Sequence, residues 1–74
     1  MNKYNDWHGL LKMANEDLEQ FGYSLLIVET EEGFYNCEIR MCGEPFETYA
    51  ENYYEDELSD LITDAWHDTK LKLV

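Results

Sequence analysis

Apolar residues recur at intervals of three and four along the first part of the chain: Trp7, Leu10, Leu11, Ala14, Leu18 and Phe21. That spacing lays a single stripe along a helix predicted from Asn5 to Phe21. His8, Lys12, Asn15, Glu16 and Glu19 fall on its other side. Asn5 or Asp6 can cap the start, and Gly22 can end the helix in a left-handed conformation.

The period then drops to two. Ser24 to Thr30, with the run Leu25-Leu26-Ile27-Val28, predicts one strand, and Phe34 to Met41 predicts a second. In the second, Tyr35, Cys37, Ile39 and Met41 share one face, while Phe34, Asn36, Glu38 and Arg40 share the other. Glu31-Glu32-Gly33 supplies a short turn between them, which makes an antiparallel hairpin. Gly43-Glu44-Pro45 turns into a third strand from Pro45 to Ala50, where a proline fits the first or an edge position.

The last segment returns to helical spacing. Tyr54, Leu58, Leu61, Ile62, Ala65 and Thr69 form an inner stripe on a helix predicted from Tyr53 to Lys70. Glu55, Asp56, Ser59, Asp60, Thr63, Asp64, His67 and Asp68 form its outer face. Asn52 followed by Glu55 has the spacing of a capping box. The acids at the start and Lys70 and Lys72 at the end both suit the helix dipole. The order is α-β-β-β-α in one α+β domain spanning residues 1–74. A three-stranded antiparallel sheet with both helices on one face would bury both stripes at once. The other sheet face would carry Phe34, Asn36, Glu38 and Arg40, with Glu47 and Tyr49 joining them in one of two registers.

Charge changes the picture more than length does. Across 74 residues, seventeen carboxylates face five lysines and arginines, for a net charge of −12. Between Met13 and Thr69 there are 16 acids and one base, Arg40. Such a chain repels nucleic acid and anionic membranes, and its natural partners are basic surfaces, cations or nothing at all. With no signal peptide and no transmembrane run, the cytoplasm is the expected compartment, with Cys37 and Cys42 reduced. Cys37 reads as a small buried hydrophobe.

The ligand types do not assemble into a metal site. His8, His67, Cys37 and Cys42 lack C-x-x-C or H-x3–5-H spacing, and the acids of the last helix point outward rather than around a glycine-turned loop. No nucleophile elbow, P-loop or dinucleotide fingerprint occurs. The expectation is a protein with no cofactor that is not an enzyme.

The distinctive feature is the acidic stretch itself. From Glu44 to Asp68 there are nine acids and no base. Glu47, Glu51 and Glu55 follow at intervals of four, and Asp56, Asp60, Asp64 and Asp68 do the same. Like charges at i and i+4 each destabilise an exposed helix by roughly 0.2–0.5 kcal/mol. An ordinary solvated face avoids that by mixing in lysine. Carboxylates about 6 Å apart, one helical turn, imitate duplex phosphates. Tyr49 and Tyr53 would give such a face apolar anchors. The alternative is a merely solubilising surface on a structural protein or an acidic, antitoxin-like homo-oligomer.

The tract ETYAENYYEDELSDLITDAWHDT, Glu47 to Thr69, together with length and element order, resembles small phage-encoded inhibitors that mimic DNA. In layout and composition, over most of the chain, it is most similar to some type II anti-CRISPR proteins, which occupy the DNA-binding surface of a Cas nuclease. The resemblance implies an inhibitor that blocks a basic nucleic-acid-binding protein, such as a Cas nuclease, in the host cytoplasm. It implies no direct contact with nucleic acid or membrane. The element order is also that of the double-stranded RNA-binding domain, whose RNA face needs basic residues that this chain lacks.

Overall fold

The computed structural model describes residues 6–73. Helix α1 spans Trp7–Leu18 and tightens into a 3-10 turn over Glu19–Phe21. Asp6 caps α1 by accepting from the Gly9 amide at 3.2 Å; Asn5, the other expected cap, lies outside the described residues. Gly22 ends the turn at φ 85°, in the left-handed region that costs glycine nothing. Strands β1 (Tyr23–Glu29), β2 (Tyr35–Met41) and β3 (Glu47–Tyr53) form one antiparallel sheet in the order β1-β2-β3. A second 3-10 turn, Glu55–Glu57, leads into helix α2, Leu58–Leu71.

The expected α-β-β-β-α order and α+β class are what the chain adopts, with the helices touching each other and the sheet. Leu25 opposes Ile39 and Ile27 opposes Cys37, so these four side chains share one sheet face. They pack with Trp7, Ala14 and Leu18 of α1 and Leu58, Leu61, Ile62 and Ala65 of α2. Removing a Leu, Ile or Phe side chain from water is worth about 1.5–3 kcal/mol, so Leu18, Leu58 and Ile62, all fully buried, carry much of the stability. Thr69 is buried too, its hydroxyl donating to the Ala65 carbonyl at 2.7 Å.

Polar side-chain contacts also join α1 to the rest. Asn15, on the polar side of α1, accepts from the Leu25 amide at 2.7 Å and donates to the Leu25 carbonyl at 3.1 Å. It thus satisfies both backbone groups of that residue on the outer side of β1. Asp17 accepts from the Trp66 indole at 2.7 Å and pairs with Lys70 at 3.0 Å, clamping α1 against α2.

Three expectations fail, each for a local reason. Strand β3 begins two residues and ends three residues later than the sequence predicts, and it carries two extra residues relative to β2. Tyr35 opposes Tyr53 but Cys37 opposes Ala50, and Glu38 then opposes Thr48. These bulges break the period of two. Asn52 is consequently no helix cap. It lies inside β3 at φ 66°, a conformation asparagine tolerates better than most residues, and its amide donates to Asn36 Oδ1 at 3.0 Å. The capping arrangement shifts to Tyr54, whose amide donates to Glu57 Oε1 at 2.9 Å. Finally, Phe21 and Tyr54, placed on the inner stripes, are 48% and 61% exposed. Both lie in or beside 3-10 segments, whose three-residue turn rotates a side chain off the α-helical stripe.

Candidate functional site

Helix α2 is held in place by its buried face, so the opposite face is presented on a rigid rod. Asp60 and Asp64 are exposed there, one helical turn or about 6 Å apart along the axis, and Asp56 is exposed on the 3-10 turn that precedes them. Glu55, Asp56 and Glu57 occupy the first turn, where the orphan amides favour anions. On the adjoining strand, Glu47 and Glu51 are exposed as well. All seventeen acids lie within the described residues, and the single ion pair found there is Lys70–Asp17.

The nine residues singled out from the sequence do not act as one surface. Asp60 and Asp64 share an exposed face of α2, and Asp56 is exposed on the turn before it. Asp68, the expected fourth member, is half-buried and accepts a hydrogen bond from the Tyr49 hydroxyl. Tyr49 therefore faces the helices rather than the open side of the sheet, because it is one of the extra residues in β3. The Asp68 hydrogen bond, then burial, then the charges of Asp68 and Asp64 drive its phenol far above the ordinary value of 10. Tyr53 is likewise half-buried against the core. Glu55 is exposed but accepts from the Trp7 indole at 3.4 Å. Burial first, then the charges of Glu29 and Glu55, raise the Tyr35 phenol above its ordinary value.

The exposed aromatic of this tract is Tyr54, and its ring meets that of Phe34 at 5.3 Å between centroids. Sequence spacing could not find that pair, since the two come from different elements. At the other end of the molecule, a depression of about 260 Å³ is lined by Tyr23, Ile39, Met41 and Pro45, with Arg40 and Lys72 mixed among Glu44 and Glu47. Arg40 there lies over the Phe46 ring at 4.8 Å. Two of the four described cations, Arg40 and Lys72, thus lie at that end of the sheet beside as many acids, while among the described residues Asp60 and Asp64 on α2 pair with no cation.

Among the described residues, no cluster of three or more His, Cys, Asp or Glu is placed to hold a metal ion. No described helix is long and apolar enough to cross a membrane. Cys37 is buried and Cys42 exposed, neither in a disulfide. Burial, and secondarily Glu38, pushes the Cys37 thiol up to about 11. Comparison with protein-family models, with curated proteins and with solved structures finds no match to this chain.

Proposed function

We propose that this chain is an acidic, non-enzymatic binding protein that covers the nucleic-acid-binding surface of a basic partner protein. The supporting observation is the exposed pair Asp60 and Asp64, one helical turn apart on α2, with Asp56 exposed on the turn before them and no cation between the three in sequence. A helix fixed by its buried face holds these carboxylates at set positions, as a duplex holds its phosphates. Glu47 and Glu51 extend the negative field onto β3. Association is steered by charge and is therefore fast at low salt and weak at high salt.

The resemblance to phage-encoded DNA mimics supports the same reading and makes a Cas nuclease one partner of suitable chemistry. Pull-down from host lysate at low and high salt identifies the partner, and competition with DNA then tests the reading. Mutual exclusion between this protein and DNA is the expected result. A ternary complex in which neither ligand weakens the other would defeat DNA mimicry.

A further inference from the structure

Tyr54 is the most exposed large hydrophobic residue among those described, at 61%. Its ring does not hang free. It is tilted 53° against Phe34 with 5.3 Å between centroids. The backbone beneath each ring is fixed on both sides. The Tyr54 amide donates to Glu57 Oε1 at 2.9 Å, and its carbonyl accepts from the Glu57 amide at 2.9 Å. The Phe34 amide donates to the Thr30 hydroxyl at 3.2 Å, and its carbonyl accepts from the Thr30 amide at 2.7 Å. Two rings from separate elements thus meet at a preformed corner. Exposed carboxylates flank it in sequence on both sides: Glu31 and Glu32 before Phe34, Glu55 and Asp56 after Tyr54.

Ring faces carry negative potential and attract cations, more so beside carboxylates that neutralise the incoming charge. This chain covers other exposed rings with its own cations: Arg40 lies 4.8 Å from the Phe46 centroid and Lys70 lies 6.0 Å from that of Phe21. Among the described residues no cation lies over Phe34 or Tyr54. We infer that Phe34 and Tyr54 form an anchoring site for an arginine side chain of the partner. Arginine is favoured over lysine because its planar guanidinium stacks on a ring while its edge pairs with a carboxylate in two parallel hydrogen bonds. The inference rests on the proposed function in one respect, that the partner is basic. It moves the aromatic anchor from Tyr49 and Tyr53, which face the core, to this corner.

The test is an NMR titration of the intact chain with a short arginine-glycine peptide, beside its lysine-glycine counterpart. The expected result is a saturable shift of the Phe34 and Tyr54 ring protons, with tighter binding of the arginine peptide. Tyr54→Leu removes the ring without changing charge, and should weaken the arginine peptide about two- to fivefold. Because Tyr54 is exposed, the remaining backbone spectrum should stay in place. Ring protons that do not move, unchanged affinity in Tyr54→Leu, or equal affinity for the two peptides would each overturn the assignment. Peptide binding through the rings, combined with no competition between the whole protein and DNA, would keep this site and remove the phosphate-mimic reading instead.

Discussion

The Tyr49 hydroxyl donates to the carboxylate of Asp68, and this bond fastens the edge strand β3 to the outer flank of α2. A residue expected at an interface is thereby part of the frame. Tyr49→Phe should lower stability by about 1.5–3 kcal/mol, the range for a hydrogen bond to a charged group, with binding to a basic partner unchanged. Denaturant melts paired with a binding assay check both halves. The raised phenol adds a pH dependence. A group with a raised folded pKa loses its contribution as pH climbs above the ordinary value, here 10. The gap between wild type and Tyr49→Phe should therefore narrow in strongly alkaline solution.

Charge along α2 is distributed, so no single carboxylate dominates. Asp60→Asn should weaken partner binding by only about 0.2–1 kcal/mol. Reversal of Asp56, Asp60 and Asp64 to lysine should abolish it while the circular dichroism spectrum is retained. The isolated Asp60→Lys change replaces i, i+4 repulsion with attraction worth a few tenths of a kcal/mol but puts a cation in the first turn of α2, where the dipole disfavours it by about 0.3–1 kcal/mol, so denaturant melts should show a small net loss of stability.

Asp17 gives the acid side of the stability profile. Its carboxyl is held below the ordinary 3.8, chiefly by the Trp66 indole hydrogen bond and next by Lys70. A lowered folded pKa stabilises above the ordinary value and loses that contribution as pH falls through it and below. Asp17→Asn should therefore melt below wild type at neutral pH, and the two should converge as pH falls below the ordinary carboxylate range. Melting temperatures that stay apart at low pH would show that charge is not the reason.

The two thiols should differ in kind. A maleimide should modify Cys42 rapidly and Cys37 only on unfolding. Cys37→Ser should destabilise by roughly 1–3 kcal/mol, because a hydroxyl in that apolar site must give up its water, while Cys42→Ser should be near neutral. With the Cys37 thiol raised to about 11, the folded state holds its proton longer than the unfolded chain. Stability should decline as pH rises from the ordinary thiol range toward 11, and the decline should be missing in Cys37→Ala.

Which features were legible follows from how local their causes are. The inner faces of α1 and α2 depend on spacing alone, and Ala14, Leu18, Leu58, Leu61, Ile62, Ala65 and Thr69 are all buried as expected. The β1–β2 hairpin was legible through Gly33 and the alternation around Cys37. The existence of β3 was legible too, but its register and its end were not, because a bulge is a relation between two strands and leaves no period in either. Asn52 suits both a helix cap and a left-handed bulge position, and only its bond to Asn36 separates them. The exposure of Asp60 and Asp64 on one face was readable, since a helix displays every fourth residue together. Asp68 was misplaced because its partner, Tyr49, arrives from elsewhere in the fold, and the Phe34–Tyr54 corner was invisible for the same reason.

Asn15 has a consequence for the protein as a population of molecules. Sheets recruit further strands through open edges, and this is how soluble proteins polymerise into fibres. By occupying both backbone groups of Leu25, Asn15 blocks one pairing position near the start of the β1 edge, where a strand of another copy would otherwise bond. The opposite edge is bent by its two extra residues and studded with Glu47 and Glu51, so two copies meeting there would set carboxylate against carboxylate. Crowded at high concentration, the chain is poorly suited to assemble with itself through its sheet, and its exposed surface stays available to molecules of the opposite charge.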